Sequence, residues 1–115
     1  MAENTESKVE QSVYGQQQIL ATMVEYQEHS IVSKMLIKKP SGNITLFSFD
    51  SGESLSEHTA PFDAMAQVLD GEGKIIIGGK EHSLQAGATI IMPANIPHAV
   101  VAEKKFKMLL IMLKS

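Results

Sequence analysis

Cysteine is absent from this sequence, and so is arginine. Without cysteine, the chain can form no disulfide, thiolate nucleophile, thiolate zinc site or thiol redox switch. All ten cationic side chains are lysines, so the planar, bidentate guanidinium that nucleic-acid readers and phosphate clamps use is missing. A basic face interleaved with aromatic side chains is missing as well. We therefore predict no nucleic-acid partner.

Long apolar runs are also missing. No stretch of the sequence approaches the length that a helix needs to cross a bilayer, and residues 1–10 are polar and acidic, unlike a signal peptide. We therefore predict a soluble, cytoplasmic protein that does not bind membranes.

The length of 115 residues is that of one domain. Residues 1–18 are rich in Glu, Ser, Asn and Gln and have few apolar anchors. We expect them to form an N-terminal arm that is either flexible or ordered against a partner chain, as in strand exchange. Residues 19–115 hold the apolar stretches, and they suffice for one hydrophobic core without disulfides.

Short apolar stretches broken by turn residues follow from Ile19 onward, and none keeps a helical period over several turns. The predicted strands cover residues 31–38, 44–49, 64–69, 74–77, 89–92, 98–102 and 106–113, with a break at residues 70–73 and a hairpin at Gly78 and Gly79. Closely spaced strands without a crossover helix favour an all-β sandwich or barrel. A closed barrel has no exposed sheet edge, and its interior can hold a small ligand.

Glycine, proline and histidine recur at specific spacings in the second half of the chain. Six residues carry this pattern: Gly52, His58, Gly71, Gly87, Pro93 and His98. They resemble the two motifs of the cupin family, G-x5-H-x-H-x3,4-E-x6-G and G-x5-P-x-G-x2-H-x3-N, placed here at residues 52–71 and 87–102. The resemblance covers close to half of the chain, and the short spacer between the motifs is similar to that of small bacterial RmlC-like cupins.

The resemblance implies a single cupin barrel, also described as a double-stranded β-helix or jelly roll. In that family, the two histidines and the glutamate of the first motif, with the histidine of the second, hold a divalent transition metal such as Zn, Fe, Mn or Ni. His58 and His98 stand at two of these four positions. The resemblance therefore implies that both imidazoles face the interior of the barrel.

The other two ligand positions of the family are altered. The second histidine corresponds to Ala60, and the glutamate corresponds to Met65, or to Ala64 if the shorter spacing applies. A tightly held metal ion generally needs three or more protein ligands, so two imidazoles make a degenerate metal site. Gln67 lies two residues after Met65, on the same face of the predicted strand. It is the candidate third ligand, although an uncharged amide substitutes poorly for a carboxylate.

The second motif departs from the family at its glycine and its asparagine. These positions hold Asn95 and Ala102. Asparagine adopts left-handed turn conformations more readily than most side chains. We therefore expect the turn at residues 93–97 to be kept.

The sequence predicts a ligand pocket inside the barrel. Six side chains are expected to line it: His58, Met65, Gln67, Met92, His98 and Met108. Neutral imidazoles donate, accept or ligate near neutral pH, and thioethers adapt to irregular apolar shapes, so this wall suits a small, partly apolar ligand. The alternative for the methionines, Met112 included, is ordinary core packing. His29 and His82 are assigned to loops or to the surface.

Three functions are compatible with these residues. The first is the binding of a small molecule, for sensing or sequestration, with His58, His98 and Gln67 as polar anchors. The second is a metal-dependent enzyme, similar to cupin dioxygenases or isomerases, in which a divalent ion held by the same side chains performs the chemistry. The third is a dimeric interaction module with a vestigial pocket. No Ser-His-Asp set, phosphate loop or carboxylate pair identifies a reaction, and the resemblance implies a homodimer.

Overall fold

The computed structural model describes residues 13–114 of the chain. Within this range the chain forms eight β-strands, a 3₁₀ helix at Leu20–Thr22 and no α-helix. The strands are β1 (Ile31–Lys39), β2 (Gly42–Phe49), β3 (Ser54–His58), β4 (Asp63–Ile77), β5 (Lys80–Gln85), β6 (Thr89–Met92), β7 (His98–Val101) and β8 (Phe106–Leu113). The described residues include no helix long and apolar enough to span a bilayer. Most of the expected N-terminal arm, residues 1–12, lies outside the described residues, so the arm stays a prediction.

The strands form two sheets that share β4. The five-stranded sheet consists of β1, β2, β8, the first half of β4, and β6, in that order. The four-stranded sheet consists of β3, β7, the second half of β4, and β5. All of these neighbours are antiparallel. The prediction of an all-β barrel is confirmed, and the inner faces of the two sheets enclose the core.

β4 is longer than the sequence predicts. The turn residues Asp70, Gly71 and Gly73 predict a break between two strands, yet β4 runs through them without interruption. The strand bends there instead, because Leu69 is an extra residue in the pairing with β8 and Gly71 has a φ of +77°. A bulge and a positive-φ glycine both bend a strand. The predicted break is therefore wrong, and these residues carry one strand from the first sheet into the second.

The core is densest where β4 passes from one sheet to the other. Phe49 of β2 and Phe106 of β8 are fully buried, and their ring centroids stack 4.7 Å apart. Val68 and Ile75, one from each half of β4, are equally buried and belong to the same cluster. Burying such a side chain stabilises the fold by about 1.5–3 kcal/mol. This part of the interior is therefore filled by side chains.

The outer face of the five-stranded sheet is partly covered by the segment that precedes β1. Val24 is buried there in a second cluster with Leu36 and Leu46. The Tyr26 hydroxyl of the same segment donates a hydrogen bond to the Asp70 carboxylate at 2.5 Å. Burial, and then this hydrogen bond, raise the pKa of Tyr26, so the phenol keeps its proton and goes on donating. Among the described residues, no strand precedes β1.

Candidate functional site

The two motif histidines meet where β3 ends and β7 begins. His58 is the last residue of β3 and His98 is the first of β7; the two are paired, with ring centroids 4.4 Å apart. The pairing contains a β-bulge between Leu55 and His58. Leu55 and its partner Val100 pack toward the core, and the extra residue turns His58 to the same face, as bulges commonly re-aim a side chain. Two imidazoles from separate parts of the chain thus face one space.

The turn at residues 93–97 positions His98. Asn95 has a φ of +67°, the left-handed conformation expected of a residue that replaces a turn glycine. Its N–H donates to the carbonyl oxygen of Ala60 at 2.8 Å. The N–H of Ala94 donates to the carboxylate of Asp63 at 2.9 Å. These two hydrogen bonds tie the turn to the segment between β3 and β4, which leads from one histidine to the other wall of the site.

Both imidazoles have one ring nitrogen engaged by the backbone. Nδ1 of His58 lies 2.8 Å from the carbonyl oxygen of Ser56, and Nδ1 of His98 lies 3.2 Å from that of Ile96. A carbonyl oxygen only accepts hydrogen bonds, so each Nδ1 carries the proton and donates it. The neutral ring then has an unprotonated Nε2 with a free lone pair. The site therefore offers two nitrogen lone pairs.

A cavity of about 70 Å³ lies between these histidines and the five-stranded sheet. Its wall is formed by Leu55, His58, Ala60, Phe62, Ala64, Met92, His98, Val100, Met108, Leu110 and Met112. His98 is only 8% exposed, whereas His58 is exposed to solvent. The cavity is thus reached from the side of His58. Apart from the two imidazoles, every lining side chain is apolar.

Four of the six side chains that the sequence predicts for the pocket line this cavity: His58, Met92, His98 and Met108. The other two, Met65 and Gln67, do not. Ala64 and Ala66 are the buried residues of this part of β4, and side chains alternate along a strand, so Met65 and Gln67 lie on the outer face. The Gln67 amide donates there to the carbonyl oxygen of Gly87 at 3.4 Å. The predictions for Met65 as a pocket residue and for Gln67 as a pocket residue and third metal ligand are wrong.

The shorter motif spacing is therefore the one that the fold follows. Ala64, not Met65, takes the place of the family's glutamate, and it lines the cavity together with His58, Ala60 and His98. All four positions of the family's metal set face one space, but two of them carry only a methyl group. Residues 13–114 contain no group of three or more His, Cys, Asp or Glu side chains that could hold a metal. Three such ligands are the usual minimum, so the side chains present do not fit a divalent Zn, Fe, Mn or Ni ion.

The remaining histidines lie outside the cavity wall. The His29 side chain is 84% exposed and lies 3.4 Å from the Glu28 carboxylate in the loop before β1. His82 is in β5, at the far edge of the four-stranded sheet.

The predicted pocket list omits Ala60 and Ala64, which line the cavity. Alanine has no reactive group, so the spacing of the motif is the signal in the sequence that points to these two positions.

The sequence and the structure of this chain were both found to be similar to known proteins. Residues 45–113 match the cupin domain family. A conserved protein of unknown function from Streptococcus pyogenes has a similar structure, with a TM-score of 0.80 and 36% identity over 84% of this chain and 84% of that one. A cupin superfamily protein from Desulfitobacterium hafniense gives a TM-score of 0.82 and 33% identity over 85% of this chain and 90% of that one.

A third similar structure belongs to a longer protein. A cupin 2 conserved barrel domain protein from Leptotrichia buccalis is 55% identical, with a TM-score of 0.80, over 82% of this chain and 46% of that one. This chain therefore spans less than half of that protein. No curated protein matches the sequence. Because the family match covers more than half of the chain and both motif histidines lie in one barrel, this chain belongs to the cupin family.

Proposed function

We propose that this cupin binds a small, mainly apolar molecule that carries a hydrogen-bond donor. The proposal is carried by the composition of the cavity wall, in which the only polar groups are the imidazoles of His58 and His98. Because both Nδ1 atoms already donate to backbone carbonyls, the groups left for a ligand are two acceptors. An O–H or N–H group of a ligand can donate to them, whereas an ionised carboxylate only accepts hydrogen bonds and would be repelled by the imidazole lone pairs.

The volume of the cavity limits the size of the ligand. A cavity of about 70 Å³ is well below the roughly 300–1,000 Å³ of sites for drug-sized ligands. It admits a few heavy atoms as it stands. Methionine is unbranched and flexible, so movement of Met92, Met108 and Met112 would admit somewhat longer aliphatic chains. We therefore expect a short aliphatic alcohol to be a better probe than an aromatic one.

The role that this site supports is sequestration or sensing of such a molecule. A divalent-metal enzyme, as in other cupins, is not what we propose, because two of the four ligand positions are alanines. No side chain among the described residues replaces the missing carboxylate inside the cavity.

The test uses butanol and butyrate, which share a carbon chain and differ in the donor group. Titration of butanol is expected to shift the NMR signals of the Met92 and Met108 methyl groups saturably, and butyrate is expected to leave them in place at neutral pH. His98→Leu should weaken butanol binding by more than about tenfold, since the loss of a buried hydrogen-bond partner is worth about 1–3 kcal/mol. His29→Leu, at an exposed loop position, is the control. Equal binding of both probes would reject the proposal.

We also propose that two copies pair through the uncovered part of the outer face of the five-stranded sheet. Met65, Ile91 and Ile111 are cross-strand neighbours there, and Ile91 is 61% exposed. Met65 and Ile111 are half-buried, and a partly exposed apolar row of this kind supports a two-fold contact in which the same patch meets itself. Ile91→Glu is expected to shift the protein from dimer to monomer in sedimentation, while Ile96→Glu, at an exposed position in the turn at 93–97, should not. A monomeric wild-type protein would contradict this proposal.

A further inference from the structure

We propose that the cavity also binds monovalent copper, Cu(I), through the imidazoles of His58 and His98 and the thioether sulfurs of Met92 and Met112. The cavity wall contains no carboxylate, but it contains three methionines: Met92, Met108 and Met112. Thioether sulfur is a soft ligand that selects Cu(I), and imidazole suits copper as well. These donors do not fit the divalent ions that the family holds, but they fit Cu(I).

The positions of the methionines support this assignment. Met92 and Met112 are the two cross-strand partners of Ala64, one on each side of it. Cross-strand neighbours have Cβ atoms about 4.5–5.5 Å apart, and the Ala64 methyl group fills little of the space above it. Two flexible thioether side chains therefore border the space that the glutamate of other cupins would occupy, opposite the histidine pair.

The histidines have the hydrogen bonds that accompany metal ligation. A metal-ligating imidazole usually donates its other N–H to a carboxylate, a backbone carbonyl or water, which fixes the tautomer and the ring orientation. Both rings do so here through Nδ1, to the carbonyl oxygens of Ser56 and Ile96, each two residues before its histidine. Nε2 of each ring is then the atom available to copper. Backbone carbonyls thus fix the tautomer of both rings.

The charge of the ion also favours Cu(I). All four proposed donors are neutral, and Met92 and His98 are 3% and 8% exposed. A divalent ion would bring two charges into an apolar site without an anionic ligand, whereas Cu(I) brings one, and uncompensated buried charge is costly. The exposed His58 provides a route from solvent to this interior position. The competing interpretation is that the methionines only fill the core, and substitution by leucine separates the two.

This inference does not rest on the organic ligand proposed above. Both would occupy the same cavity of about 70 Å³, so they would exclude each other. Butanol binding without copper binding would reject the copper site alone. If butanol does not weaken copper binding, the result supports the copper site and counts against the organic ligand.

The test is an anaerobic titration of the tag-free 115-residue chain with Cu(I) in competition with the chromophoric chelator bicinchoninate. We expect one Cu(I) per chain. Met92→Leu and Met112→Leu should each weaken binding by more than about tenfold, the lower end of what the loss of even an outer-sphere partner of a metal site causes. Met65→Leu makes the same change on the outer face next to Ala64 and should have no effect. Leucine conserves the volume of methionine, so packing is kept.

X-ray absorption of the copper-loaded wild-type protein gives a second readout that does not depend on a variant. We expect both nitrogen and sulfur among the atoms bound to copper. The proposal is overturned if Cu(I) does not compete with the chelator, if only nitrogen or oxygen ligands are seen, if the Met92 and Met112 variants fold and bind as the wild type does, or if Zn²⁺ displaces Cu(I) at equal concentration.

Discussion

Substitution of Ala60 by histidine together with Ala64 by glutamate is expected to turn the cavity into a tight site for Zn²⁺ or Co²⁺. Ala60 and Ala64 line the same cavity as His58 and His98. The two introduced side chains would therefore face the two native imidazoles. With three or four ligands including a carboxylate, the ion is both coordinated and partly neutralised. Affinity should rise by more than the roughly 100-fold that outer-sphere changes produce.

The control for this experiment moves the carboxylate by one residue. Ala60→His with Met65→Glu introduces the same two groups, but places the glutamate on the outer face of β4, where Met65 is a neighbour of Ile91 and Ile111. A one-residue shift in a strand reverses the face, so this variant gains a third imidazole but no carboxylate in the cavity, and its Zn²⁺ affinity should stay well below that of Ala60→His with Ala64→Glu. Without metal, Ala64→Glu buries a carboxylate in an apolar site and lowers stability; added metal should raise the melting temperature again by mass action. Equal metal affinity in the two double variants would contradict our assignment of the inner face.

Gly71→Ala is expected to destabilise the protein by about 3 kcal/mol or more, since a left-handed conformation costs an L-residue about 1–2 kcal/mol and a clash in a packed region costs about 1–3 more. Gly71 has a φ of +77°, and a Cβ at this position would lie 2.5 Å from the carbonyl oxygen of Lys105. The obstacle is backbone, so the sheet itself must shift. The loss is a large share of the 5–15 kcal/mol that typically stabilises a domain.

Gly79→Ala isolates the conformational part of this effect. Gly79 has a similar φ of +85°, but a Cβ there meets no atom within 4 Å. Chemical denaturation should therefore show a loss of only about 1–2 kcal/mol for Gly79→Ala. If the two variants lose the same free energy of unfolding, the close approach of Gly71 to the backbone of Lys105 does not add to the cost of its left-handed conformation.

The fold follows from features that the sequence displays directly. The glycine, proline and histidine spacings of residues 52–71 and 87–102 identify the barrel, and the turn residues bound most of its strands. The convergence of His58 and His98 was predictable on the same basis, because both belong to the motif that places its histidines inside. Asn95 adopts the left-handed conformation that its replacement of a glycine implies. The conformation of such a turn depends on few neighbouring residues, so it can be predicted from the sequence.

The errors arise where one residue of register decides the outcome. The three- or four-residue spacing after the position of the second histidine allows either Ala64 or Met65 to replace the glutamate, but the six residues required before Gly71 are present only if Ala64 replaces it. The alternation of side chains then puts both Met65 and Gln67 on the opposite face. Apolar residues occupy both faces of this part of β4, so hydrophobic patterning could not choose between them. The bend at Gly71 presents a related difficulty, because a bulge and a chain break use the same turn residues. At the bend, the pairing with β8, remote in sequence, decides between the two.

Both proposed ligands require His58 and His98 to lie together on a methionine-lined space whose other wall includes Ala64. Nuclear Overhauser spectroscopy on protein with ¹³C-labelled methionine methyl groups measures these proximities in solution. We predict cross-peaks between the two histidine rings, and from the His98 ring to methyl groups among Met92, Met108 and Met112, with none to Met65. Cross-peaks from Met65 to either ring, or their absence between the rings, would contradict this arrangement.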